Sequence, residues 1–376
     1  MLYYIYKLKE ENLMKQKIYE VANDMGYEMF GITSIIDYDS LRSILNSRIN
    51  NNYYNELQEQ NIEKRLNAKN VFPECKSIIA VGFSYAKGYK IINSKNKGLI
   101  SLISFGEDYH HIVNESLKEF GKRLEKYFSF KYKICVDTSP LIDKEICRRA
   151  GIGNYGKNSL LINEDFGSFI YLGYLLTDLD IVEKGNDKYI DICKDCDICI
   201  KLCPNNAILK NGKVNTKRCI SYLTQTKNYI PIEYRKNMGN HIYGCDVCQL
   251  VCPKNQKTLT TESSSNYKKL LVDLKELLSI SNSQFADKYG NTSGGWRGKN
   301  IWKRNAIISI TNLDLKYMFD SVKEELKNQS NMIKIYSAWS MMILNKQKAS
   351  DILYSNLKYE KDIVMYEYKK LLEEEL

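Results

Sequence analysis

CKDCDICIKLCP (193–204) and CDVCQLVCP (245–253) decide how the middle of this chain must fold. The first stretch sets thiols at Cys193, Cys196, Cys199 and Cys203, the second at Cys245, Cys248 and Cys252, and Cys219 lies between them. Soft thiolates at such close spacing let one tight loop wrap three corners of an iron–sulfur cube. In two-cluster bacterial ferredoxins the last cysteine of such a run, the one before proline, reaches across to the other cluster. Pro204 and Pro253 directly follow Cys203 and Cys252. That rule gives one 4Fe–4S cluster to Cys193, Cys196, Cys199 and Cys252, and a second to Cys203, Cys219, Cys245 and Cys248. Structural zinc is the competing reading. It prefers ligand pairs a dozen or more residues apart, and four cysteines within the eleven residues 193–203 fit that poorly.

Outward from the cysteines, the chain has 376 residues, enough for two or three domains. Its 44% hydrophobic and 27% charged residues fit a folded chain rather than a disordered one. No apolar run approaches the roughly 18 residues a spanning helix needs, and MLYYIYKLKEENLMKQ (1–16) is too charged for a secretory leader. A cytoplasmic protein is expected, in which clustered cysteines are poor disulfide candidates. Three histidines (His110, His111, His241) leave little for imidazole-rich metal sites. A net charge of +10 permits a polyanionic partner without demanding one.

Before the cysteines, residues 13–25 read as a helix, SIIAVGFSY (77–85) as a buried strand, SLKEFGKRLEKYF (116–128) as a helix and KYKICVD (131–137) as a strand. Thr138-Ser139-Pro140 offers an N-cap and an early proline for a helix through LIDKEICRRA to Gly151. FGSFIYLGYLLTDL (166–179) reads as another strand. The mixture predicts an α/β domain to about residue 185. After a polar linker, TTESSSNY (260–267), the pattern is helical. WKRNAIISITNL (302–313) and IYSAWSMMIL (335–344) sit in similar register, with Ala306 and Ala338 32 residues apart, a spacing compatible with short helical repeats or with an ordinary bundle.

AGIGNYGKN (150–158) contains G-x-G-x-x-G and nearly a P-loop. Both need a strand before and a helix after, and a P-loop needs Ser or Thr where Asn158 stands, so both are rejected. The loop can still offer backbone amides to another anionic or amide-bearing ligand. Asp137 closes a predicted strand, where ligand crevices gather in open sheets; the same aspartate could equally cap the next helix. Asp143 and Glu145 are expected to be solvated.

FGEDYHHIV (105–113), VDTSPLIDKEICRRAGIGNYGKNSLLI (136–162), the two cysteine runs, RCISYLTQ (218–225) and WKRNAI (302–307) together resemble the epoxyqueuosine reductase family. The resemblance implies an α+β multidomain protein. Residues 1–185 would form a cobalamin-binding catalytic domain, 186–258 a ferredoxin-like two-cluster domain, and 259–376 a HEAT-like helical-repeat domain that holds tRNA. It implies reduction of epoxyqueuosine to queuosine at the tRNA wobble position, fed by an electron donor and carried out by a monomer. It gives Asp137 the role of proton donor, places Arg65, Leu161, Gln225 and Asp246 near the cobalamin, and Arg297, Lys303 and Arg304 on the tRNA. The acidic end EEEL (373–376) would stay clear of the RNA. Asp137 can donate only if protonated, and burial against a corrin, away from cations, would raise its pKa. The D-x-H-x-x-G motif of methionine-synthase-type cobalamin enzymes is not completed at Asp108-Tyr109-His110, so His110 is expected to be structural or to support another group. A reductive dehalogenase, or a cluster-bearing electron carrier or RNA-binding module, are the alternatives; the last would leave the region before the clusters without a role.

Overall fold

The computed structural model describes residues 2–35, 38–92, 94–181, 188–263 and 265–373. The expected boundary at 185/186 and residues 374–376 of the acidic end lie outside these. The fold is α+β. Met29–Ser34 (β1), Ser77–Ser84 (β2), Ile170–Thr177 (β7) and Tyr132–Cys135 (β4) form one sheet in the order β1-β2-β7-β4, every neighbouring pair antiparallel. The predicted strands are therefore present, but not as the open α/β sheet expected. Strand order and direction depend on long-range pairing that no local pattern encodes.

Burial explains the apolar run of β2. Ile78 and Ala80 face a core with Cys135, Ile146, Cys147 and Tyr174. Ile79 and Val81 face the other side, against Ile18, Val113, Leu117 and Phe120. Successive residues of a strand point to opposite faces, so a sheet covered on both faces reads as continuously hydrophobic. The first cover is the helix Asp143–Arg149; the second combines Leu2–Asp24 and Tyr109–Leu124. The close approach of β1 to the first cover needs Gly31, where a Cβ would sit 1.8 Å from the Ala150 carbonyl oxygen.

The helix Asp143–Arg149 starts later than expected and has no side-chain cap. Ser139 Oγ instead accepts from the Leu141 amide at 3.1 Å, because residues 137–140 form a turn rather than a first helical turn. The helix ends at Gly151, φ +83°, whose amide donates to Arg148. A helix thus precedes the glycine motif and the two-residue ladder of Asn154–Tyr155 (β5) with Leu161–Ile162 (β6) follows it, the reverse of a dinucleotide-binding turn.

A second sheet ties distant segments together. Gly98–Ile100 (β3) pairs in parallel with His241–Tyr243 (β8) and antiparallel with Leu271–Val272 (β9), one strand from each of the three expected regions. Behind it lies the largest core, built mainly from residues 220–371. Its helices Lys299–Asn312 and Asn331–Leu344 pack on each other with Ala306 and Ala338 fully buried, and Thr311 Oγ1 and Ser340 Oγ meet at 2.7 Å.

Candidate functional site

All eight cysteines of the middle segment are free and partly buried. The neighbours of three of these thiols lie mostly within the groups that the crossed rule expects, with Cys199 and Cys248 adjoining across them. The thiol of Cys199 sits in the field of Cys193, Cys252 and Cys196. Cys248 lies beside Cys219 and Cys245, and Cys245 beside Cys219 and Cys203. The groups are brought together by packing of the short helices Ile198–Lys201 and Val247–Leu250. Burial raises the thiol of Cys199 to about 11, and those of Cys245 and Cys248 further. Iron would have to displace those protons, as thiolate ligation requires. Among the described residues no three His, Cys, Asp or Glu side chains gather as a single ion such as zinc would need. Backbone amides point at the sulfurs: Lys157 N donates to Cys193 Sγ at 3.4 Å and Ala207 N to Cys203 Sγ at 3.2 Å. The glycine-rich loop thus presents an amide after all, to a cysteine; such bonds tune cluster potential.

A cleft of about 1300 Å³ opens between the first sheet and this segment. Asp137 and Thr138–Pro140 form part of one wall, with Tyr109 and His110; Ser221, Gln225, Tyr243, Gly244 and Trp296 line another. Ser221 is two residues from Cys219, and Gly244 adjoins Cys245. The second cysteine group therefore stands directly behind the cleft wall.

Asp137 is held in a strained turn. Its φ is +52°, and Thr138 N donates to Val136 O across it at 2.5 Å; a non-glycine residue in this region marks a conformation that the surroundings enforce. It exposes 65% of its side chain to the cleft. Tyr109 Oη donates to Asp137 Oδ2 at 2.9 Å, and His110 Nε2 lies 3.5 Å from the same oxygen. Asp108 caps the helix Tyr109–Leu124 through the His110 amide, and Asp108 Oδ1 also accepts from His110 Nδ1 at 2.7 Å. The His110 bond chiefly, with Tyr109 and Lys144 helping, holds the Asp137 carboxyl below its usual range. The expected elevation is thus overturned: the aspartate does not lie away from cations. Burial opposes charge on His110, but its two carboxylate partners outweigh that and raise its pKa.

The carboxyl with the raised pKa is Asp143, pushed up to about 7 by burial although Tyr174 Oη donates to it at 2.7 Å. Neither it nor Glu145 is solvated as expected. Glu145 is 4% exposed and paired with Arg148 and Arg149 at 2.8 and 2.9 Å. Asp143 sits on the face of the helix turned to the sheet, with Ile146 and Cys147, while Glu145 lies on another face and is buried by its arginines; a seven-residue helix does not signal either in sequence.

Of the residues expected near cobalamin, Asp137 and Gln225 line the cleft. Gln225 donates to Ser221 O at 2.8 Å and receives Tyr243 Oη at 3.3 Å. Arg65 packs on the Tyr54 ring and is not among the residues lining the cleft, Leu161 is 2% exposed in the core, and buried Asp246 accepts from Leu102 N and Ser101 Oγ. The cleft's size suits a macrocycle better than a small metabolite. Its wall carries Gln58 Oε1, a buried polar atom without a hydrogen-bond partner among the described residues, as is the Nε of Arg297 beside Trp296. An amide-rimmed corrin is the kind of ligand that would satisfy such groups.

The expected RNA contacts divide. Lys303 and Arg304 are 6% and 0% exposed, so the structure corrects their assignment. Lys303 pairs with Glu325 at 2.9 Å, while Arg304 donates to Thr226 O, Leu223 O and Asn305 Oδ1. No phosphate can reach them without unpacking the core. Arg297 is partly exposed at the cleft rim, its guanidinium 4.4 Å over the ring of Trp296, which is 61% exposed. Trp296 carried no pattern in the sequence that set it apart.

Comparison with known proteins follows this geometry closely. A family model described as epoxyqueuosine reductase QueG matches residues 65–138, and one described as a 4Fe-4S double cluster binding domain matches 192–255. An epoxyqueuosine reductase of Lactococcus garvieae is 37% identical over 80% of this chain and 87% of its own. A crystal structure of epoxyqueuosine reductase with an epoxyqueuosine-modified tRNA-Tyr stem loop superposes with a TM-score of 0.89 at 32% identity, covering 96% of this chain and 99% of the other. The Bacillus subtilis epoxyqueuosine reductase, in a structure whose aspartate-bearing catalytic loop is swung out of the active site, gives 0.88 at 31% identity over 96% and 99%.

Proposed function

The chain belongs to the epoxyqueuosine reductase family, a family of oxidoreductases of queuosine biosynthesis with a double 4Fe–4S domain, and from that premise we propose how its residues divide the work. The substrate is epoxyqueuosine at the wobble position of a tRNA, and the reaction removes the epoxide oxygen. Cys193, Cys196, Cys199 and Cys252 hold one cluster; Cys203, Cys219, Cys245 and Cys248 hold the other. The cleft would hold cobalamin, which when bound would supply the strongly reducing centre that the two-electron chemistry needs. Ser221 and Gly244 form the short wall between the cleft and the cysteines that would hold the second cluster, so a cluster bound there would lie within reach of a cofactor in the cleft. Asp137 delivers a proton to the oxygen freed as the ring opens. Gln225 and Gln58 hold amides of the cofactor. Residues 1–185, 186–258 and 259–376 serve as cobalamin-binding, cluster-binding and HEAT-like tRNA-binding parts. Arg297 with Trp296 meets the RNA at the cleft mouth. No helix among the described residues is long and apolar enough to cross a membrane, in keeping with a tRNA substrate and a diffusible electron donor.

The observation that carries this proposal is the position of Asp137, forced by a left-handed turn into a large cleft whose far wall is flanked by Cys219 and Cys245. The test is single-turnover reduction of epoxyqueuosine-tRNA by Asp137→Asn with a chemical reductant. Asparagine keeps the size and the Tyr109 bond but gives up no proton comparably. The rate should fall about a hundredfold to ten-thousandfold with clusters, cobalamin and tRNA still bound. A near wild-type rate would remove Asp137 from the mechanism.

A further inference from the structure

A carboxyl held below its ordinary pKa is a poor proton donor, and Asp137 is so held in the open cleft. A proton must therefore reach it at the right moment. We propose that His110, clamped by Asp108, is the proton store for Asp137, and that closing the cleft around its ligands moves the proton from His110 to Asp137. The inference rests on the role given to Asp137 above and extends it to a positioning residue that acts through it.

The geometry is that of a relay. Asp108 can only accept, so the 2.7 Å contact fixes the hydrogen on His110 Nδ1. That leaves Nε2 facing Asp137 Oδ2 at 3.5 Å, where a second ring hydrogen has a carboxylate to meet. The ring is further set by stacking on Tyr109, centroids 4.1 Å apart, and Tyr109 hydrogen-bonds the same Asp137 oxygen. The charged and titratable neighbours of this pair are Asp108 and Tyr109 on the helix start, Lys144 and Asp143 on the helix under the sheet, and Tyr243 on β8. Two carboxylates against one imidazole favour the imidazolium while water fills the cleft. His110 keeps 32% of its side chain exposed, enough to be refilled from solvent.

Filling the cleft changes the balance. An ionised pair loses its hydration when water leaves, whereas the neutral pair loses little. The N–H bond at Nε2 then breaks, the O–H bond at Asp137 Oδ2 forms, and no electrons move. Removing an epoxide oxygen takes two electrons and two protons, leaves an alkene and releases water. The electrons come from the reductase's own donor. Each proton passes through Asp137, with His110 recharged from solvent between them. Such an arrangement keeps an acidic proton away from a strongly reducing centre until substrate is in place.

The test uses full-length protein with both clusters. The three histidines make His110 assignable by NMR of isotope-labelled imidazoles. In the cobalamin-free protein His110 should titrate above an ordinary histidine, and Asp108→Asn and Asp137→Asn should each lower it. In the loaded enzyme, the single-turnover rate should fall as pH rises through the His110 midpoint. His110→Gln should abolish that limb and slow the reaction at neutral pH by about tenfold to a hundredfold, part of what a general acid contributes, with tRNA affinity and iron content unchanged. A His110 that is neutral from pH 6 to 8, or a His110→Gln enzyme with the wild-type rate and limb, would overturn the proposal. The wild-type titration decides even if His110→Gln does not fold. An Asp137→Asn enzyme with full activity would instead overturn the role of Asp137, and this inference with it. Loss of activity in Asp137→Asn beside an unaltered His110→Gln would overturn the relay alone.

Discussion

Replacing Arg304 by methionine separates a packing role from an RNA-binding one. The guanidinium is fully buried, and its charge is so poorly solvated that its pKa is pushed down to about 10. It donates to Thr226 O at 2.6 Å, Leu223 O at 2.8 Å and Asn305 Oδ1 at 2.8 and 3.0 Å. Leu223 and Thr226 lie just after Cys219, so Arg304 fastens the helical part to the cluster segment. Methionine fills much of the volume but leaves three buried acceptors short of a donor, at about 1–3 kcal/mol each. Removing a buried charge returns part of that loss, so a net destabilisation of about 3 kcal/mol is expected. Over 376 residues, at about 2.1 cal/mol/K per residue, this lowers Tm by roughly 4 °C. The assay pairs thermal unfolding under anaerobic conditions with tRNA affinity measured across salt concentrations. A phosphate contact would contribute about 0.7–0.9 to the slope of log affinity against log salt; Arg304→Met should leave that slope unchanged. A variant with wild-type Tm and a flatter slope would refute the reasoning.

Arg297→Ala should do the opposite, flattening the salt slope by about 0.7–0.9 with little change in Tm, as the two measurements together would reveal. Cys196→Ala and Cys248→Ala should each lose one cluster and partly spare the other, leaving about four of roughly eight irons by iron and sulfide analysis. Asp143→Asn should gain stability relative to wild type as pH rises. A buried acid raised from 3.8 to about 7 binds a proton more tightly folded than unfolded, so wild type loses stability between about pH 4 and 7, up to a few kcal/mol, and denaturant titration at pH 4 and 8 should show the gap opening only at the higher pH. Gly31→Ala should cost at least about 2 kcal/mol or fail to fold, because its Cβ would overlap the Ala150 carbonyl; a wild-type unfolding midpoint would contradict that close approach.

What sequence revealed and what it hid follow from the range of the interactions involved. The double-cluster segment was legible because cysteines at such close spacing are a local pattern, and the family match at 192–255 agrees with it; which four thiols share a cluster is a proposal from the proline-marked rule. β2, β4 and β7 were legible because sheet burial writes itself as short runs of β-formers. The antiparallel order of those strands was not, since it is fixed by partners up to a hundred residues away. Lys303 and Arg304 were misread for a related reason. WKRNAI shows charge on a helix but not that every residue from Ile301 to Thr311 is buried. Asp143 and Glu145 looked solvated for want of the same information. Asp137 was expected to close its strand, which instead ends at Cys135, two residues before a left-handed turn at Asp137; its lowered pKa depends on His110, which a helix cap 29 residues earlier brings to it.

The most direct single measurement is queuosine formation from an epoxyqueuosine-tRNA stem loop by the anaerobically reduced protein, followed over one turnover with and without cobalamin. Conversion should require both clusters and cobalamin and proceed to near completion when all are present. No queuosine from the fully loaded protein, or an equal rate without cobalamin, would contradict it.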